Sequence, residues 1–260
     1  MTKKTNPPAG GEKLKAKKKK KAKSKEIKSK IKKKAKSEIS LKDLLEAGCH
    51  FGHKRSKTNP KIKQYIYLIR DGIAIFDLVQ TKKCLEKATA FVKTTVAKGG
   101  KIVFIGTKRQ AREIVKEEAK RVGMPYVVSR WLGGMITNWE EIKKNSIDKL
   151  NCLKKEWQEG KFKKRTKKEQ AVIRREINRL EKIVGGVADL DELFTALFVV
   201  DVNQERTAIQ EARQKGIPVI AIVDSNCDPS LIDYPIPAND DAAKSIQLLI
   251  GEIGKAIKKK

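Results

Sequence analysis

Four short apolar runs, separated by stretches with a helical period, set the first constraint on this chain. Lys101-Ile-Val-Phe-Ile-Gly106, Pro125-Tyr-Val-Val128, Ala196-Leu-Phe-Val-Val-Asp-Val202 and Ile217-Pro-Val-Ile-Ala-Ile-Val-Asp224 are too short for helices. Unbroken apolar character over so few residues is the mark of strands buried in a parallel sheet. Helical patterns follow two of them, to about Arg121 and over Glu205–Lys215. Strand–helix alternation of this kind predicts an α/β fold with a doubly wound, Rossmann- or flavodoxin-like parallel sheet.

The alternation breaks once. Arg130-Trp-Leu-Gly-Gly-Met-Ile-Thr-Asn-Trp139 is followed by a highly charged stretch before Gly185-Gly186 restores the pattern. Glu140–Glu159 reads as one helix, with Ile142, Ile147, Leu150, Leu153 and Trp157 roughly aligned. Lys167–Val184 reads as a second, with Ile173, Ile177, Leu180 and Val184 at spacings of 4, 3 and 4. Two helices with a short connection predict an antiparallel coiled-coil arm, projecting on the order of 30 Å. So much charge around a narrow apolar stripe argues against two core helices. Trp131 and Trp139 then fall at the root of the arm, where packing it onto the body is the expected role and stacking on RNA bases the alternative. The expected organisation is a disordered extension over 1–36, a body over 37–138 and 185–260, and an arm over 139–184.

Upstream, Leu41–Gly48 reads as a short amphipathic helix with Ser40 as N-cap and Gly48 as its end. Asp71-Gly72 lies between two β-rich runs, which predicts a hairpin with a type I′ turn. Asp77–Ala97 reads as a helix closing at Gly99-Gly100. Near the C-terminus, Asp228–Pro237 reads as a Pro-rich loop, and Asn239 as the cap of a last helix from Asp240 to about Ile257.

The formal net charge is +29. Met1–Lys36 carries +15 of it on lysine runs with almost nothing apolar, and the rest of the chain carries +14. The first segment cannot bury enough surface to offset its ordering entropy. The second shows that the basic excess is not confined to a tail. Both point to a polyanionic partner. No apolar run is long enough for a membrane span, and the basic N-terminus lacks the apolar stretch of a secretory signal. Cys49, Cys84, Cys152 and Cys227 are scattered without a CxxC pair, as suits a reducing compartment and a cytoplasmic protein.

Three function classes fit these features. In an RNA-binding protein, Lys54, Arg55, Lys57, Lys108, Arg109 and Arg130 are the candidate phosphate contacts, with Lys161, Lys163, Lys164 and Arg165 at the arm tip. Such contacts give affinity without reading sequence. An enzyme would use the carboxyl ends of the strands, where Gly106-Thr107-Lys108-Arg109, Asp201, Asp224 and Asp228 gather. Carboxylates there can hold a divalent metal for phosphoryl transfer or cap loops through backbone N–H groups. No nucleophile–base pair is recognisable, and Gly106-Thr-Lys-Arg109 carries one glycine and neither nucleotide-binding fingerprint. Cys49-His50-Phe-Gly-His53 invites zinc, but the only two histidines and one cysteine fall short of four ligands. The expectation is therefore no catalytic residues, no metal and no cofactor. A free nucleic-acid-compacting protein, the third class, would need neither the α/β body nor the arm.

Several of these motifs occur together in one known family. Ala47-Gly-Cys-His-Phe-Gly-His53, Asn59-Pro-Lys61, Gly106-Thr-Lys-Arg109, Arg130-Trp-Leu-Gly-Gly-Met-Ile-Thr-Asn138, Arg165-Thr-Lys-Lys-Glu169, Gly216-Ile-Pro-Val219, Ile222-Val-Asp-Ser-Asn-Cys-Asp-Pro229 and Pro237-Ala-Asn-Asp-Asp-Ala242 appear in order. Over roughly Ile39–Ile257 the chain resembles the uS-two family, the second protein of the small ribosomal subunit, in its bacterial or organellar form. The resemblance implies a structural role without enzymatic activity: docking on 16S-type rRNA between head and body of the 30S subunit and helping to hold the mRNA-binding ribosomal protein S-one. It implies ribosomal localisation, cytoplasmic or organellar, and no small-molecule substrate. The lysine tail departs from the family pattern. So does Asp189-Leu-Asp-Glu-Leu-Phe-Thr195, where the family has Gly-Leu-Pro-Asp before Ala-Leu-Phe.

Overall fold

The computed structural model describes residues 39–190 and 192–258, so the expectation of disorder over 1–36 lies outside the described residues. Residues from Leu41 onward form one compact unit. Its centre is a five-stranded parallel sheet made of β4 (Ile102–Ile105), β5 (Tyr126–Val127), β6 (Ala196–Val200), β7 (Val219–Val223) and β8 (Tyr234–Pro237). The strands run in the order β5-β4-β6-β7-β8 and pair in parallel throughout. All residues of β4, β6 and β7 are buried, which is why they read as unbroken apolar runs.

The order reverses between β4 and β6, as in doubly wound folds. Ligands of such folds bind beyond the carboxyl ends of the strands at that reversal. β8 corrects the reading of Asp228–Pro237 as a loop. Pro235 and Pro237 cannot donate to a ladder on both sides, but β8 pairs only with β7 at the edge of the sheet, where proline is tolerated.

A second, antiparallel sheet precedes this one: β1 (Phe51–Lys54), β2 (Ile66–Arg70) and β3 (Ile73–Phe76), in the order β1-β3-β2. Asp71 and Gly72 have φ of 52° and 75°, both in the left-handed region that a type I′ turn needs. The hairpin is as expected; β1 is an addition to it. Helix α1 spans Leu41–Glu46, and α2 spans Leu78–Ala97 behind an Asp77 cap that accepts the Val79 N–H at 2.9 Å. α3 (Arg112–Val122) lies between β4 and β5, α7 (Arg206–Gln214) between β6 and β7, and α8 (Ala243–Lys258) closes the described chain.

Between β5 and β6 lie α4 (Trp139–Ile142), a π-helical turn (Lys143–Asp148), α5 (Lys149–Gln158) and α6 (Lys167–Val184). The single helix expected over Glu140–Glu159 is thus interrupted by a π turn. Thr166 and Glu169 form a capping box that starts α6 where the sequence placed it. Lys149 pairs with Glu176 at 3.2 Å and Lys154 with Glu181 at 2.8 Å. These ion pairs link α5 and α6 across the connection between them. Ile147, Leu150, Ile177, Leu180 and Val184 are buried in the same core cluster as Trp131, Met135 and the sheet residues Val103 and Leu197. The apolar stripe is therefore continuous with the body core.

Candidate nucleic-acid interface at the carboxyl ends of the sheet

Five parallel strands deliver their following loops to one edge, and each loop brings polar side chains. After β4, the Thr107 N–H and hydroxyl both donate to Glu205 Oε1, and the Arg112 Nε donates to the Thr107 carbonyl at 2.7 Å. In a doubly wound fold an anionic ligand is expected at this turn. Here a buried carboxylate from the start of α7 takes the donors. Burial pushes the Glu205 carboxyl above its usual range, against the opposing pull of the Thr107 hydrogen bonds.

Lys108 stands among carboxylates. Its ammonium lies 2.6 Å from Asp240 Oδ1, 2.6 Å from Asp241 Oδ1 and 3.6 Å from Asp201 Oδ2, with its side chain only 14% exposed. Burial works against the charge, but hydrogen bonds and attraction from these acids outweigh it and hold the pKa above the usual lysine range. Asp240 is pushed the other way. Burial, then repulsion from Asp224 and Asp201, raise its carboxyl, and Lys108 opposes them.

His53 completes the rim. Its Nδ1 is 3.1 Å from Asp224 Oδ2 and its Nε2 is 3.4 Å from Asp241 Oδ2. Its backbone N–H donates to the Ser225 hydroxyl at 2.7 Å. The Asp224 hydrogen bond raises its pKa, and burial opposes the rise.

The strand-end acids also cap loops. Asp201 (φ 69°) accepts the Asn203 N–H at 3.0 Å, Asp224 accepts the Ser225 N–H, and Asp228 accepts the Ser230 N–H at 2.9 Å. Loop capping is thus the role the geometry displays for these carboxylates. Donor atoms of His53, Asp224 and Asp241, and of Asp201, Cys227 and Asp240, each cluster within 4.8 Å and are the sets able to share a cation. Lys108 already supplies one. Among the described residues neither Cys49 nor His50 joins such a cluster. Cys49 accepts from the Ser245 hydroxyl at 3.2 Å, while His50 packs on Phe51 with ring centroids 4.0 Å apart.

The loop after β5 is organised by another buried carboxylate. Glu211 of α7 accepts the Gly134 N–H at 2.8 Å and the Ile136 N–H at 3.0 Å, with the Trp131 indole N–H and the Thr137 N–H each at 3.4 Å. Gly134 sits at φ 92°, which lets the backbone curl its N–H groups toward one point. Trp131 is buried edge-on to Phe194, with centroids 6.4 Å apart. The Trp-Leu-Gly-Gly stretch is therefore a wrapped, packed root for the helices that follow.

A family model for ribosomal protein S2 matches residues 44–260. The chain belongs to the ribosomal protein S2 family. It is 50% identical over 220 residues to the small ribosomal subunit protein uS2 of Cytophaga hutchinsonii, covering 85% of this chain and 86% of that one. Against the proteins of the same name from Mycobacteroides abscessus and Mycobacterium leprae it is 50% identical over 219 residues, covering 84% of this chain and 79% of each. The ribosomal protein S2 family is structural and non-enzymatic.

On this family fold the candidate RNA contacts fall into three groups. Lys54, Arg55 and Lys57 are exposed at the end of β1, where the Arg55 N–H donates to Gly72 of the hairpin turn at 2.8 Å. Lys108, Arg109 and Arg130 follow β4 and β5 on the carboxyl edge; Arg109 and Arg130 are exposed, and Lys108 is tied down by acids. Asp241 touches both Lys108 and His53, so the first two groups flank one rim. Lys161, Lys163, Lys164 and Arg165 lie together beyond α5, far along the chain from that rim. Lys161 pairs with Glu159 at 3.0 Å, and Arg165 lies over the buried Phe162 ring at 5.4 Å. In the departing loop, Leu190 and Phe194 are buried and the Thr195 N–H donates to Lys101 at 2.9 Å.

Sequence reasoning missed Glu205 and Glu211. A signal existed: Glu211 lies among the buried Ala208, Ile209 and Ala212 of α7, and Glu205 is buried at the residue before the helix. Acids buried among apolar residues demand donors from elsewhere.

Proposed function

We propose that this chain is a structural constituent of the small ribosomal subunit, held on 16S-type rRNA between head and body and helping to anchor ribosomal protein S-one. The names of the relatives, small ribosomal subunit protein uS2, support the subunit. The observation that carries the RNA reading is the internal satisfaction of the crevice. Where an enzyme of this fold would receive a substrate anion, Glu205 and Glu211 occupy the turns, and Lys108 is neutralised by Asp240, Asp241 and Asp201. Cations left exposed around it, Lys54, Arg55, Lys57, Arg109 and Arg130, suit a phosphate backbone better than a small substrate.

The helical excursion adds a second contact at Lys161, Lys163, Lys164 and Arg165, reached if α5 and α6 project as an arm. The lysine-rich residues 1–36 add nonspecific attraction. No helix among the described residues is long and apolar enough to cross a membrane, and the proposed place of action is the cytoplasmic ribosome.

Sedimentation of tagged protein from lysate, at moderate salt and millimolar magnesium, tests this. Near-stoichiometric migration with the small subunit is expected, and it should survive removal of residues 1–36. Migration at the top of the gradient free of RNA contradicts the reading. Loss of all binding on removal of 1–36 would favour a nucleic-acid-compacting protein.

A further inference from the structure

Away from the acid-lined rim, an open cavity of about 610 Å³ lies between α2, the turn after β1 and the loop leading into β8. Its size falls within the range of sites that hold one small organic group, roughly 300–1,000 Å³. Tyr65 and Tyr234, both half-buried, line it. Tyr234 is held by stacking on Phe91, with ring centroids 4.3 Å apart, so its ring is fixed before anything binds.

Lys61 and Lys87 also line the cavity, and both are exposed. The Lys61 ammonium is oriented by Asp228 at 2.7 Å and Ser230 at 3.2 Å. Asp233, the acid among the lining residues, accepts the Val219 N–H at 2.8 Å through Oδ2. The exposed Gln64 amide can both donate and accept.

We propose that this cavity receives one unstacked nucleotide of RNA, its base between the tyrosines and its phosphate against Lys61 and Lys87. This rests on the RNA reading above and adds a base-holding site to it. Aromatic side chains, a donor–acceptor amide and cations around one cavity are the combination by which proteins hold splayed bases. An acidic peptide would use the lysines but leave the aromatic side chains without a flat partner.

Cys84 supplies a natural reporter, because it lines the cavity and is partly exposed while Cys49 and Cys227 are buried. In full-length Cys152→Ser protein, alkylation therefore reports chiefly on Cys84. Single-stranded RNA of about 12 nucleotides, with binding followed in the same sample, should slow alkylation about tenfold at saturation, equivalent to ~1.4 kcal/mol. An abasic oligomer of the same length should leave the rate unchanged, and Lys87→Ala should reduce the protection by RNA.

Bound RNA with undiminished Cys84 reactivity overturns the cavity proposal and leaves the RNA reading standing. Equal protection by the abasic oligomer or by polyglutamate also overturns it, the latter in favour of a protein occupant. Absence of any RNA binding overturns both. As a second measurement, irradiation of the complex with 4-thiouridine-substituted RNA should crosslink Tyr65 or Tyr234. Crosslinks confined to residues 161–165 contradict the proposal.

Discussion

The carboxyl rim of the sheet and the turn between α5 and α6 are both rich in basic residues, yet their charges are disposed in opposite ways. At the rim, Lys108 is surrounded by three carboxylates, and backbone donors are taken by Glu205 and Glu211. At the turn, Lys163 and Lys164 are exposed. Buried acids and cations at the rim hold loops to the sheet. Exposed cations at the turn cost little to keep and are free to meet a phosphate. The same residue type thus serves architecture in one place and availability in the other, and the difference lies in burial and partners.

Each region can be perturbed to break that contrast. The largest expected effect is at Glu211. Replacing it with alanine strips partners from the Gly134 and Ile136 N–H groups at the core's edge. At about 1–3 kcal/mol per buried unsatisfied group, a loss of about 3 kcal/mol in urea unfolding is expected. A loss under about 0.5 kcal/mol would show that water replaces the carboxylate at no cost. Lys108→Met comes next. It leaves Asp240 and its neighbours uncompensated, and about 2–3 kcal/mol should be lost, below the ~3–5 kcal/mol of a fully buried pair because the rim is partly open. An unchanged stability would mean that the acids tolerate one another without the ammonium.

A smaller effect follows from pH. Glu205, Asp240 and His53 all have raised pKa values in the folded protein. Between each unfolded value and the raised folded one, the native state holds more protons than the unfolded chain, so stability falls as pH rises. The melting temperature of the wild type should therefore decline from about pH 5 to pH 8 relative to Asp240→Asn, which removes one of these groups. A rise in the same interval would contradict the assigned directions.

How much of this was legible follows from which interactions are local. The buried strands β4, β6 and β7 showed as apolar runs because both faces are covered, and the Asp71-Gly72 turn and the α6 start showed because their signals lie within four residues. β8 was hidden by Pro235 and Pro237, which read as loop residues until an edge position makes them acceptable. The π turn at Lys143–Asp148 leaves the apolar positions of its helix nearly aligned, so periodicity does not betray it. The rim was least legible. Glu205 meets Thr107 across 98 residues and Glu211 meets Gly134 across 77, and nothing beside Thr107 or Gly134 in the chain indicates which acid will arrive. Lys108 and Lys163 look alike in sequence for the same reason.

The measurement that tests this contrast most directly is the salt dependence of binding to a small-subunit rRNA fragment for wild type and for Lys163→Ala/Lys164→Ala/Arg165→Ala. Each phosphate contact contributes roughly 0.7–0.9 to the slope of log affinity against log salt. If these three exposed cations meet the backbone, the slope becomes shallower by about 2–3, with stability changed by no more than about 0.5 kcal/mol. An unchanged slope would contradict the account, because the available charge would then have to lie elsewhere than on the residues the fold leaves exposed.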